Sequence, residues 1–350
     1  MKILVTTQKF REDGSYTDNF SAFFTGRVVS ELESLGEVVY NPYFRDYTRD
    51  ELKEALHGVD VVFNGWGTAR YDKDLLNCAD SLKVIAYTGG SVAPIVSEDH
   101  ELQKRGILLL SGNRLMALNV AEATVCYMLM GQRQLFSICK EMEQDGWRGG
   151  FRFTRSLGGE TVGIVGFGMI AKFLCGLLKP FNVKIKVWAD YDLPQEEAAK
   201  YGATVCSLEE VFATSDIVSL HAGMTQNNFH IIDKRLLSMM RDDALLVNTA
   251  RGALIKEEDL AEEVKTGRIR AVLDVYETEP LPMDSGLRNL PNVLCVPHQS
   301  GPTIDVRERI SLALIEEVKG FFVGETEFPD EITAEYAARM TDDQKFVNYK

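Results

Sequence analysis

A chain of 350 residues is too long for one ordinary hydrophobic core and predicts two domains. With 45% apolar and 26% charged residues it reads as globular, and no apolar run reaches the ~18 residues of a membrane helix. A net charge of −14 speaks against nucleic acid and anionic membrane as partners, so any anionic substrate needs a local cationic grip.

The N-terminal MKILVTTQKF has too short an apolar part for a signal peptide and reads as a first buried strand, Ile3 to Thr6. Four β-rich runs, MKILVT, EVVYNP, DVVFNG and LKVIAYTGG, alternate with helical stretches such as FTGRVVSELESLG and TRDELKEALHG, the second closed by Gly58 as C-cap. Such alternation predicts an α/β fold with parallel sheets covered by helices on both faces. A stretch with helical periodicity follows from Met116 to Glu141, and then a Gly-Trp-Arg-Gly-Gly segment. A second series begins there: TVGIVGFG, KIKVWAD, ATVC, IVSLHA, ALLVNTA, AVLDVY and NVLCVP. From about Ile304 the chain turns helical again, and the polar tail TDDQKFVNYK is expected to fray. Two sheet domains joined through the long helix is the reading. The cysteines, Cys78, Cys126, Cys139, Cys175, Cys206 and Cys295, have no metal-ligand spacing, so no metal is expected. Most lie in apolar segments, which predicts buried free thiols in a reducing cytoplasm.

Gly166, Gly168 and Ala171 in GIVGFGMIA form G-x-G-x-x-A between a strand and a helix. The first glycine permits a tight turn, the second lets the backbone approach a pyrophosphate, and the third small residue lets helix and strand pack closely. Amides at the helix start, Met169 and Ile170, would meet the phosphates. Asp190 ends KVWAD, 22 residues after Gly168, where an acid binds the adenosine ribose and repels a 2′-phosphate. This favours NAD over NADP; an ordinary surface Asp is the alternative. Ala222, after IVSLHA, is expected to meet the cofactor through its backbone.

Three later strands end in chemistry. ALLVNTA runs into Arg251-Gly252, AVLDVY into Glu277-Thr278-Glu279-Pro280, and NVLCVP into His298. Ligands of open parallel sheets bind outside the carboxyl ends of the strands. A guanidinium can hold a carboxylate and polarise a carbonyl, an imidazole can move the hydroxyl proton, and a carboxylate beside it can orient the ring and raise its pKa. Together they suit hydride exchange between NAD and a 2-hydroxy acid. For His298 the alternative is a capped loop residue.

The pieces VGIVGFGMI, LLVNTARGALI, LDVYETEP and NVLCVPH, with VAEAT at 120 to 124, resemble the D-isomer-specific 2-hydroxyacid dehydrogenase family. The resemblance implies two Rossmann-like domains, with an NAD domain (114–302) inserted into a discontinuous, flavodoxin-like substrate domain (1–113 and 303–350). It implies that Arg251 binds substrate, that His298 is the acid/base and that Glu279, rather than Glu277, is its partner. It places Asp274 on the nicotinamide side of the cofactor, puts Thr124 and Thr249 at the cofactor, and assigns substrate amides to Gly89, Gly90 and Ser91. It also implies a homodimer formed through the long-helix region. The chain departs from the family pattern at Gly223, at SGNRLMALN, at SVAP and at Gln299-Ser300 after His298, which leaves the identity of the acid open. A dinucleotide-sensing regulatory protein of the same fold is the alternative function. Among other residues, Trp66 is read as cleft lining or core, Arg70 and Arg114 as loop charges, Met116, Met128 and Met130 as core or dimer interface, and His57, His100 and His230 as surface or helix positions.

Overall fold

The computed structural model describes residues 1–97, 99–145, 154–340 and the backbone of 348–349. The Gly-Trp-Arg-Gly-Gly segment and most of the polar tail lie outside the described residues. The chain forms two compact units, Met1–Met116 with Pro302–Asp342, and Ala117–Gly301 with Asp343–Lys350. None of the described helices is long and apolar enough to cross a membrane.

The first unit is built on β1 (Lys2–Val5), β2 (Glu37–Tyr40), β3 (Val61–Asn64), β4 (Val84–Tyr87) and β5 (Leu108–Ser111), all parallel in the order β2-β1-β3-β4-β5. Alternate side chains leave opposite faces of a strand, and both faces here are apolar. Ile3, Val5, Phe63, Ala86 and Leu110 pack on one side with Phe20, Phe23 and the helix Ile304–Phe322. Leu4, Val62, Ile85 and Leu109 pack on the other with Leu52, Leu75 and Leu102. β5 is absent from the sequence reading, because a short leucine run has no periodicity that separates strand from helix. The helix Arg49–Ala55 starts at a capping box in which the Thr48 hydroxyl accepts from Glu51 N–H and the Glu51 carboxylate accepts from Thr48 N–H. Its C-cap is Leu56 rather than Gly58; Gly58 makes the left-handed turn two residues later, at φ +68°.

The second unit contains all seven strands of the later series: β6 (Thr161–Val165), β7 (Lys184–Trp188), β8 (Ala203–Val205), β9 (Ile217–Leu220), β10 (Leu245–Asn248), β11 (Arg270–Leu273) and, after a two-residue strand β12 (Thr278–Glu279), β13 (Val293–Cys295). They are parallel in the order β13-β11-β10-β9-β6-β7-β8. The chain runs outward from β6 to β8 and returns on the other side of β6 at β9. The sheet therefore has its topological switch point between β6 and β9, where an open α/β sheet leaves a crevice for a ligand.

The single helical stretch expected from Met116 to Glu141 is two helices, Asn113–Gln132 and Leu135–Asp145, broken at Gln134 with φ +50°. The buried Arg270 guanidinium accounts for the break position, since it donates to Gly131 O, Gln132 Oε1 and Asp243 O and fixes the first helix end on the sheet. The thiols are not mostly buried, contrary to what their apolar segments suggest. Only Cys175 is buried, while Cys126 and Cys139 are exposed, because apolar neighbours in sequence do not decide which face of a helix a residue occupies. Met116 and Met128 are core residues.

Phe63 is fully buried between strand neighbours of the first unit. Phe63→Ala should lower the unfolding free energy by about 3–5 kcal/mol, read as a lower urea midpoint at unchanged slope.

Candidate active site

At the end of β6 the chain turns at Gly166, whose N–H donates to Trp188 O at 2.7 Å. Gly166 has φ +94°, and a Cβ there would lie 2.4 Å from Ala222 N, so the turn admits glycine alone. Gly168 differs. It is exposed, and a Cβ on it would meet nothing within 4 Å. It is the N-cap of the helix Met169–Leu178, with no side chain capping that end, and Ala171 is fully buried at the helix–sheet contact. The positive end of the helix dipole thus opens onto space left by a side-chain-free residue, which fits a pyrophosphate. Asp190 is exposed, two residues past β7. Next to it, the Tyr191 hydroxyl donates to Phe167 O at 3.3 Å and bridges the end of β7 to the glycine turn. Thr124 and Thr249 come together with their hydroxyls 3.1 Å apart, both buried.

On the other side of the switch point, β10, β11 and β13 deliver the three chemical side chains. Asn248 holds the turn after β10: its Nδ2 donates to Arg251 O and its Oδ1 accepts from Ala250 N–H, both at 3.0 Å. Arg251 Nη1 donates to Ala250 O at 2.6 Å. A Cβ on Gly252 would lie 1.9 Å from the Tyr276 carbonyl carbon, so the loops after β10 and β11 touch backbone to backbone. His298, half-exposed and at φ +52°, faces Glu279, with Nδ1 2.7 Å from Oε2. Glu279 Oε1 accepts from Tyr276 N–H at 3.1 Å, which fixes the carboxylate within its own loop. A cavity of about 560 Å³ lined by Tyr276, Pro280, Leu281, Cys295 and Pro297 opens beside the pair.

The hydrogen bond to the Glu279 carboxylate holds the His298 pKa above its ordinary value, against burial and the Arg251 charge, which pull it down. Burial pushes the Glu279 carboxyl up, but the His298 hydrogen bond and charge outweigh it and leave Glu279 below the ordinary value. The His298 contribution to stability is therefore full below its ordinary value of 6.5 and is lost as pH rises through the raised one. The Glu279 contribution is present above 4.5 and is lost as pH falls through the lowered one.

Asp274, 1% exposed, is committed to the turn that carries His298. Its carbonyl accepts from His298 N–H at 2.9 Å, its Oδ1 from Gln299 N–H at 2.7 Å and its Oδ2 from Ser300 N–H at 3.0 Å. His221 is buried, with Nε2 2.8 Å from Ser219 Oγ, and burial pushes its pKa down to about 3, so the ring is neutral. In the first unit, Ser111 Oγ donates to Gly89 O and Gly90 O, and the trans peptide planes direct the Gly90 and Ser91 N–H groups the opposite way. Trp66 is 45% exposed and not core; it packs edge-on against Phe23 with Arg307 over its ring. Arg114 is not a loose charge, since it pairs with buried Asp330 at 2.8 Å. One residue read as a surface position stands close to the site: His230 Nε2 is 2.7 Å from Glu277 Oε1. No spacing in the sequence relates the two.

Residues 125–300, about half of the chain, match the family model described as D-isomer specific 2-hydroxyacid dehydrogenase, NAD binding domain. The hydroxypyruvate reductase of Thermotoga maritima is 31% identical over 278 residues, 77% of this chain and 87% of that protein. The chain belongs to the D-isomer-specific 2-hydroxyacid dehydrogenase family. Another member, the D-3-phosphoglycerate dehydrogenase of Methanocaldococcus jannaschii, is 32% identical over 300 residues, 85% of this chain. The chain spans only 56% of the length of that relative. The solved structure of D-2-hydroxyisocaproate dehydrogenase superposes with a TM-score of 0.74 over 95% of this chain and all of its own, at 22% identity, a likeness of fold. The glycine turn lies in the NAD-binding domain of this 2-hydroxyacid dehydrogenase family member, and NAD is its dinucleotide.

The two glycines should fail differently. Gly166→Ala should destabilise the fold by about 1–3 kcal/mol through strain at positive φ. Gly168→Ala should melt close to wild type yet bind NADH at least tenfold more weakly by calorimetric titration, because its methyl fills the phosphate approach.

Proposed function

We propose that this protein is an NAD-dependent oxidoreductase that interconverts a 2-keto acid and a D-2-hydroxy acid. The observation that carries the reading is the 2.7 Å His298–Glu279 pair at strand ends next to Arg251, in the unit that binds the dinucleotide. When bound, the nicotinamide supplies or accepts the hydride at the substrate C2. Arg251 grips the substrate carboxylate and polarises the adjacent carbonyl. His298, held by Glu279 on Nδ1, presents Nε2 to the carbonyl oxygen, donating its proton in reduction and taking it back in oxidation. Asp274 keeps the His298 turn in place. Thr124, Thr249, Ala222 and the Met169 and Ile170 amides line the cofactor in this reading, and Asp190 takes the ribose hydroxyls.

In this reading residues 1–113 with 303–350 form the substrate domain, and its Gly89–Ser91 loop contributes amides to the substrate. The exposed Leu135, Phe136, Ile138 and Met142 support a homodimer formed next to the long helix. The testing experiment is NADH oxidation against a panel of 2-keto acids. Turnover with one or more supports the dehydrogenase; tight NADH binding with no turnover points to a sensor instead.

Arg251→Ala should lose at least 10²-fold in kcat/KM with little change in NADH affinity, and Arg251→Lys should recover only part, since a point charge cannot reproduce the planar fork. With Asp190 at the ribose, kcat/KM for NADH should exceed that for NADPH by tenfold or more, and Asp190→Ser should narrow the gap; equal values in the wild type would remove Asp190 from this role.

A further inference from the structure

The loop that carries Glu279 is held at a second point. Glu277, two residues earlier, accepts Glu257 N–H on Oε1 at 2.9 Å, and its own N–H donates to Glu257 Oε2 at 3.2 Å. The same Oε1 lies 2.7 Å from His230 Nε2. His230 sits in the loop after β9 at φ +53°, with its ring stacked on Phe229 at 3.9 Å and its N–H donating to Ala253 O at 2.9 Å. Ile232 N–H donates to Leu254 O at 3.0 Å. Three segments therefore meet at two side chains: the His230 loop, the Arg251–Glu257 segment and the Tyr276–Glu279 loop.

We infer that His230 and Glu277 form a positioning pair, which holds the Arg251 segment and the Glu279 loop in register so that Glu279 reaches His298. This rests on the proposed roles of Arg251, Glu279 and His298. Two observations support it. The Gly252 and Tyr276 backbones touch with no room for a Cβ, so the two loops move together or collide. Glu279 is fastened to its own loop through Tyr276 N–H, so a shift of the loop carries the carboxylate with it. A displacement of 1 Å would turn the 2.7 Å contact with His298 into no hydrogen bond. His230 faces Glu277, which in turn accepts the Glu257 backbone N–H, whereas His298 faces Glu279, Asp274 and Arg251.

The test is an NMR pH titration of the His298 ring in wild type, Glu277→Gln, His230→Gln and the double variant, with kcat and KM measured on the same samples. Glu277→Gln keeps the acceptor for Glu257 N–H and removes only the charge; melting curves check folding, and His230→Gln carries the test if Glu277→Gln unfolds. A positioning pair predicts that the His298 pKa falls towards 6.5 in each single variant, that kcat falls about tenfold while KM for NADH stays within twofold, and that the double variant is no worse than either single one. An unmoved His298 titration, or losses that multiply in the double variant, overturns it. If Arg251→Ala still abolishes turnover while the His230 and Glu277 variants match wild type, the positioning pair alone is wrong. A wild-type protein that turns over no 2-keto acid overturns the functional reading and this inference with it.

Discussion

The hydrogen bond between His298 Nδ1 and Glu279 Oε2 is the interaction on which the site depends, and almost everything near it is backbone holding those two side chains. His298 sits at a positive φ that few non-glycine residues adopt, and Asp274 keeps it there with one carbonyl and two carboxylate oxygens. Glu279 is pinned by Tyr276 N–H, and the Tyr276 hydroxyl in turn donates to Leu273 O and Val296 O. An imidazole fixed in this way needs no reorganisation to present its other nitrogen.

The parallel sheet makes this arrangement possible. In a parallel sheet every strand ends on the same edge, so residues far apart in sequence, such as Arg251, Glu279 and His298, arrive at one rim. The same rim carries the glycine turn after β6, and the switch between β6 and β9 separates that turn from Arg251, Glu279 and His298. Gly166 shows how tight the middle is, because Ala222 occupies the place where its Cβ would be. The net charge of −14 adds a constraint, since the anionic acid of the proposed reaction needs a local cation, the role proposed for Arg251.

The strands of the second unit were readable because each is a short apolar run bounded by turn residues, and the glycine turn because its three small residues have separate steric duties. The family resemblance picked Glu279 over Glu277; spacing alone could not. β5 escaped because ILLLS has no period, and the break at Gln134 escaped because it depends on Arg270, more than a hundred residues away. The side of a helix that Cys126 or Cys139 occupies depends on tertiary packing. His230 was passed over for the same reason: its proximity to Glu277 comes from the return of the chain between β9 and β11. Tertiary proximity of this kind leaves no local mark in one sequence.

The most direct measurement is kcat/KM for keto-acid reduction against pH, with NADH saturating, in wild type and Glu279→Gln. His298 as proton donor requires the rate to fall as pH rises through its raised pKa. Loss of the Glu279 charge lowers that pKa, so the fall should move to lower pH in the variant. A profile that stays in place when Glu279 is neutralised, or a reduction rate that rises with pH, would contradict His298 as the acid and leave the pair a structural contact.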